Sequence, residues 1–284
     1  MTNTLIERII NDPQVLSVRF QPIFRLGAQR DQVDSLEGLV RGPQGTPFES
    51  ANLLFDYVRR KRAEGAVDRS CITAICRAAA ELPADYRLNV NVHASTLGQN
   101  NGFVEFFRRQ ARNLSLSLER FTLEIVEHSP TRNVPGLISS LQSLRDIGVK
   151  IALDDVGLGH SNYRMIVDCR PDYFKLDAFF VQGVSYDTFR CAVAKSVMCL
   201  AQEMKASIVA EGAHSVEDMS TLTEMGINLF QANLLCPPLR TPELLEKRFA
   251  SFHPAVATPA SAAQNSDKRA PASIRSTMKP AICQ

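Results

Sequence analysis

The sequence predicts an α/β protein, built as a TIM-like (β/α)8 barrel with its first strand antiparallel. Three observations lead there. Eight short apolar segments of strand character alternate with helical ones up to about residue 240. Helices follow the strands from the second onward, which implies parallel pairing. The first two strands are joined too tightly for a crossover, so that pair must run antiparallel. An open doubly wound sheet competes with the barrel, but eight strands in so short a length favour closure.

In chain order, VRFQPIFRL (18–26) and VDSLEGLVRG (33–42) are strands joined around GAQRD. Residues 49–64 and 67–82 carry apolar residues at helical spacing. RLNVNVHA (87–94) alternates strictly and reads as a strand; 102–114 is a helix and RFTLEIVEH (120–128) a strand. The helix over 134–148 has Pro135 in its first turn and Gly148 at its end. VKIALDDV is a strand, SNYRMIVDC a short helix and PDYFKLDA a strand. Helix 188–204, strand 207–213, helix 215–226, strand 227–235 and a closing helix over 241–252 complete the pattern. Residues 1–15 have room for one short helix only.

Composition narrows the classes of function. The chain has 284 residues, 45% of them hydrophobic, enough for one large core. Lys+Arg total 32 against Asp+Glu 30, so the net charge of +2 points away from a nucleic-acid polymer. Seven cysteines without a CxxC pair read as free thiols of a reducing cytoplasm. The start, MTNTLIERII, is too short and polar for a signal peptide, and no apolar run approaches the ~20 residues of a membrane span. From residue 254 the chain turns rich in Pro, Ala and Ser, so the expected division is a folded unit 1–253 and a disordered tail 254–284. With Gln21 so near the start, no upstream sensor segment is expected.

One polar residue interrupts each strand from the second onward: Glu37, Asn91, Glu124, Asp154, Lys175, Glu211 and Gln231. Each alone has an ordinary explanation, as a solvated Glu, a capping Asp or a snorkelling Lys. Their recurrence at similar depth does not. In a barrel the strand ends converge on one mouth, where active sites lie. Carboxylates gathered there repel unless cations sit among them. An all-oxygen set with one amide suits Mg²⁺ or Mn²⁺ rather than zinc. Asp155, beside Asp154 at a fraying strand end, can reach the same mouth. Paired cations about 3.5–4 Å apart are a standard arrangement for hydrolysing phosphate esters. Arg41, four residues after Glu37, offers a fork of donors to a phosphate.

These residues resemble the EAL-domain family of bacterial phosphodiesterases that cleave cyclic di-GMP. The resemblance runs from about Gln21 to Pro238. The name-giving segment stands here as Glu37-Gly38-Leu39, followed by Arg41; the early Gln-Pro-Ile is Gln21-Pro22-Ile23. Asn91, Glu124 and Glu127 of LEIVE, the tandem Asp154-Asp155, Lys175 and Asp177 of KLD, Glu211 of AEG, and Gln231 follow in order. The resemblance implies hydrolysis of one phosphodiester bond to give linear pGpG. It implies one Mg²⁺ or Mn²⁺ on Glu37, Asn91, Glu124 and Asp154, and a second on Asp154 and Asp155. Lys175 and Glu211 would orient the attacking water or handle its proton, and Glu127 would steady the following loop. Gln21, Arg41, Asp177 and Gln231 would contact substrate, Gln21 near a guanine base. A homodimer is implied as well.

The chain departs from the family pattern at several positions. DFGTGYSS is replaced by DVGLGHSN, with Val156, Leu158, His160 and Asn162; AEGVE becomes AEGAH with His214; QGY becomes Gln231-Ala232-Asn233. Gly38 replaces the family's alanine, a mild loss of one methyl. The altered loop motivates an alternative, a catalytically weak protein that binds cyclic di-GMP or a protein partner. Two other readings carry less. A histidine-bound transition metal is one, since His93, His128, His160 and His214 fall near the expected mouth, but scattered loop-end histidines are usually ordinary polar residues. A Schiff base on Lys175 needs a lowered pKa, which nearby carboxylates oppose.

Overall fold

The computed structural model describes residues 4–27, 32–99, 102–126, 133–157 and 163–247. In order they form α1 (Leu5–Asn11), β1 (Ser17–Arg25), β2 (Gln32–Arg41), α2 (Ala51–Arg60), α3 (Glu64–Ala79), β3 (Arg87–His93), α4 (Ala94–Gly98), α5 (Phe103–Asn113) and β4 (Phe121–Val126). Then come α6 (Val134–Arg145), β5 (Lys150–Val156), α7 (Tyr163–Cys169), β6 (Tyr173–Leu176), α8 (Ala178–Val181), α9 (Thr188–Met204), β7 (Ser207–Glu211), α10 (Val216–Glu224), β8 (Leu229–Gln231) and α11 (Thr241–Glu246). The strands close into one barrel in sequence order. β1 lies antiparallel between β2 and β8, and the other neighbours pair in parallel. The expected architecture, including the reversed first strand, is the one observed.

Period-two alternation sorts the side chains. Leu36, Leu88, Val90, Leu123, Ile125, Leu153, Phe174 and Ile208 belong to the large core formed with the helices. Ile23, Val209, Leu229 and Tyr173 form a separate apolar plug. At the lower rim, Asp34 pairs with Arg25 and Arg87, and Arg87 Nη1 donates to the Tyr173 hydroxyl at 2.8 Å.

Helix ends follow capping chemistry. Asn133 Oδ1 accepts from Gly136 N at 3.1 Å to start α6, which carries Pro135 in its first turn. Asp187 caps α9, whose range matches the sequence reading, and Lys205 ends it in the left-handed region. β8 spans three residues rather than the expected nine, because the chain turns after Gln231, with Leu235 N and Cys236 N both donating to Ala232 O. The closing helix is described only to Glu246, and its expected continuation lies outside the described residues, as does the tail. The short helices α4 and α8 were not expected; α8 is capped by Asp177, whose Oδ1 accepts from Phe179 N at 2.7 Å. No described helix is long and apolar enough to cross a membrane.

Candidate active site

Register explains why the polar residues meet. Gln21 faces Glu37, Asn91 faces Glu124, and Glu211 faces Gln231 across neighbouring strands. With Asp154 and Lys175 on the intervening strands, these side chains ring one level of the barrel. The lysine is at the centre. Its Nζ lies 2.7 Å from Glu124 Oε2, 2.8 Å from Glu211 Oε1, and 3.2 Å from Glu37 Oε2 and Asp154 Oδ1. Lys175 is 2% exposed, so these charges act with little screening by water.

Amides complete the ring. Asn91 Nδ2 donates to Glu37 Oε1 at 2.6 Å, which leaves the Asn91 carbonyl oxygen available to a cation. Gln231 Nε2 donates to Glu37 Oε2 at 2.5 Å. Asn89, two residues before Asn91 and so on the same strand face, donates to Glu124 Oε1 at 2.6 Å. Asn89 was missed in the sequence because its alternation reads as an ordinary strand.

The environment sets protonation by position. Burial pushes Glu37 upward, but Lys175 and the Gln231 and Asn91 amides outweigh it and hold the carboxyl below its usual value. Burial and the Glu37 charge push Glu124 well above the carboxylate range despite Lys175. Burial raises Glu211 to about 8; Lys175 opposes this, while Asp154 and Glu37 add to it. Burial opposes the charge on Lys175, but Asp154, Glu124, Glu211 and Glu37 together raise its pKa well above the ordinary lysine value. A lysine held this firmly as an ammonium is neither a base nor an amine nucleophile near neutral pH, so the Schiff-base reading falls.

The tandem aspartates share the mouth through a backbone irregularity. Pairing of β5 with β6 shifts register between Leu153 and Val156, and Asp155 has a φ of 51°. One extra residue in the left-handed region turns the second carboxylate to the side of the first. Burial, Asp154 and Asp177 raise Asp155 to about 6. Oxygen atoms of Asp154, Asp155 and Glu211 lie within 4.8 Å of one another, an all-oxygen set that fits a hard divalent cation.

Two clefts flank the ring. One, of about 550 Å³, is lined by Arg41, Phe55, Asn91, His93, Asp154 and Asp155 among others. Half-buried Arg41 donates to its neighbour's carbonyl, Val40 O, at 3.1 Å. A second, of about 310 Å³, lies on the opposite half of the mouth and includes Gln21, Glu211, His214, Gln231 and Asn233. Asp177 lines neither; it caps α8 and faces Asp155. Glu127, His128, Leu158, His160 and Asn162 lie outside the described residues.

The wall of the larger cleft holds a cluster the sequence did not disclose. Buried Asp68 of α3 accepts from His93 N at 3.0 Å and from Thr96 Oγ1 at 2.5 Å, and its Oδ1 lies 2.8 Å from His93 Nδ1. It fixes the turn from β3 into α4, directly after Asn91. The one signal was an acid among the apolar positions Val67, Cys71, Ile72 and Ile75.

A closed barrel with a lysine-centred ring of strand-end acids defines a class of barrel whose mouth offers oxygen ligands to a cation. Its family is definite: the EAL domain profile matches residues 6–238, and the chain belongs to that family. The cyclic di-GMP phosphodiesterase NbdA of Pseudomonas aeruginosa is 27% identical over 241 residues, covering 82% of this chain and 30% of that protein. The cyclic di-GMP phosphodiesterase RocR of the same organism is 32% identical over 177 residues, covering 60% of this chain and 43% of its own. The matches thus span less than half of either relative. Among solved structures, BlrP1 of Klebsiella pneumoniae, a calcium and cyclic di-GMP complex, matches with a TM-score of 0.70 at 24% identity over 81% of this chain and 57% of that one. A standalone EAL protein of Vibrio cholerae bound to cyclic di-GMP matches with a TM-score of 0.70 at 21% identity, over 82% of this chain and 98% of that one. These structural likenesses establish a shared fold.

Proposed function

We propose that the chain hydrolyses cyclic di-GMP to linear pGpG with Mg²⁺ or Mn²⁺. The observation that carries this is the juxtaposition of Asp154, Asp155 and Glu211 oxygens within 4.8 Å, between two clefts that suit the two halves of a cyclic dinucleotide. Family membership supports the same reading, as do relatives named for this activity. Glu37, Asn91, Glu124 and Asp154 would hold one cation; Asp154 and Asp155, with Glu211 in reach, would hold the second. Bound cations supply a water that is nucleophilic near neutral pH and neutralise charge on the phosphate.

The chain's own groups do the rest. Arg41 binds a phosphate oxygen at the wall of the larger cleft. Lys175 keeps Glu37 and Glu124 in place by charge and hydrogen bonds. Glu211, at the rim, takes in its deprotonated form the proton of the attacking water as the bond between phosphorus and the 3′ oxygen breaks, and the 3′ oxygen leaves as a hydroxyl protonated from solvent. Gln21 and Gln231 hold the floor of the smaller cleft, and Asp177 orders the turn beyond Asp155.

The assay is purified protein with Mn²⁺ and cyclic di-GMP, the product followed by chromatography. Linear pGpG is expected, and Glu37→Ala should abolish it; wild-type turnover in that variant would remove Glu37 from the ligand set. A regulator that binds without cleaving is the second reading, favoured by one observation: Lys175 already pairs with four of the acids a cation would need. Tight binding with no product would decide for it.

Exposed apolar side chains on α7 to α9, with Val167 65%, Phe179 55% and Phe189 83% exposed, support the expected homodimer. Buried thiols at Cys71, Cys76 and Cys236 support the cytoplasmic placement.

A further inference from the structure

The smaller cleft contains Asn233, one of the positions where the chain departs from the family pattern. Its amide orientation follows from its neighbours. The carbonyl oxygen of Cys236 can only accept, so the Gln21 atom 3.2 Å from it is the donor Nε2. Gln21 Oε1 then accepts from Gln231 Nε2 at 3.2 Å. That assignment agrees with the other end of the chain of amides, where Gln231 Nε2 donates to the carboxylate of Glu37. Gln21 Nε2 also donates to Asn233 Oδ1 at 3.1 Å. Acceptors at both ends, a backbone carbonyl and a carboxylate, thus leave one consistent arrangement. Asn233 turns its oxygen inward and offers Nδ2 to the cleft. Since Glu211 lines the same cleft, a base seated there lies next to the reacting phosphate.

We propose that Asn233 is a specificity-determining residue that reads the O6 carbonyl of a purine and so selects guanine over adenine; this rests on the cyclic di-GMP reading above. Guanine presents an acceptor at position 6, whereas adenine presents an amino donor. A fixed donor facing a second donor leaves both unpaired, and sites built on such polar contacts reject the wrong partner strongly. In a free side chain Asn pairs with adenine by using its oxygen and nitrogen together. Here the oxygen is turned toward Gln21, which removes that option.

The test is calorimetric binding to wild type, Asn233→Asp and Asn233→Ala, with Ca²⁺ as the cation, as in the BlrP1 complex. The ligands are cyclic di-GMP, cyclic di-IMP, which keeps O6 but lacks the 2-amino group, and cyclic di-AMP. Wild type should bind both O6-bearing ligands about thirtyfold or more tighter than cyclic di-AMP. Asn233→Asp presents an acceptor and should shrink that ratio about tenfold; Asn233→Ala should shrink it less, and reads the same ratio should the charged variant fail to fold. A wild-type ratio in both variants overturns the role of Asn233 while the phosphodiesterase reading stands. No binding of any of the three ligands to wild type overturns both.

Discussion

Lys175 shows how much one side chain can organise. A single ammonium is within 3.2 Å of four carboxylates, and it is what makes their burial tolerable before any cation arrives. Removing one partner of a buried charged cluster costs about 3–5 kcal/mol. Lys175→Met should therefore lower the melting temperature in chelator by roughly 6–15 °C. Mn²⁺ should then raise the variant's melting temperature by more than it raises the wild type's, because the acids have lost the ammonium that pairs with all four of them. Equal shifts in the two proteins would show that lysine and cation do not share those acids. Protons compete at the same oxygens. With Glu211 raised to about 8 and Asp155 to about 6, both carboxyls must deprotonate to ligate. Their pKa values are raised, so affinity rises with pH: Mn²⁺ titrations at pH 6 and pH 8 should differ at least about tenfold, tighter at the higher pH. A flat profile would mean that Glu211 is not a ligand. The polar residue in each strand was legible because an apolar run makes any acid conspicuous. The four-way pairing of the Lys175 ammonium was not, since it depends on register between strands as far as 138 residues apart. Asn89 and Asp68 escaped for a related reason: their partners lie on other elements.

Among the elements, β5 and the β2–α3 contact carry the separable effects. The register shift in β5 sets Asp155 at a φ of 51°, a region that Asn and Asp tolerate better than most residues. Asp155→Asn should keep the melting temperature within about 2 °C while cutting turnover at least about a hundredfold. A variant that is both unstable and inactive would assign the carboxylate a structural role. Gly38 was expected to be a mild loss of one methyl. Its space is taken: a Cβ there would meet Ile75 Cγ2 at 2.7 Å. The helix has moved its own branched side chain into the vacancy. Gly38→Ala should cost about 1–3 kcal/mol by overpacking. Combined with Ile75→Ala, the loss should be smaller than the sum of the two single losses by about 1 kcal/mol or more, measured by denaturant unfolding; strict additivity would show that the two positions do not share volume. Helix positions were legible throughout from apolar spacing and caps, but β8 was overread, because Ala232, Leu234 and Leu235 belong to a turn that sequence alone does not separate from a strand.

For the molecule as a whole, the barrel was readable from alternation and the tight first connection, whereas the flanking clefts depend on loop paths that carry no periodic signal. The apolar side chains left outside are the remaining feature of this scale. Val167 and Phe189 stand 65% and 83% exposed. Phe189→Glu should convert the proposed homodimer to a monomer in light scattering after gel filtration; a wild type of dimer mass with an unchanged mass for the variant would place the interface elsewhere. Closure has a consequence for synthesis. β1 joins β8, and the amide of Gln231 reaches back to Glu37, 194 positions earlier. The ring is therefore incomplete on any nascent chain whose last strand is still inside the ribosome. Under the proposed activity such a polypeptide stays chemically silent during translation and becomes competent only when β8 pairs with β1, and degradation that removes either strand would silence it again.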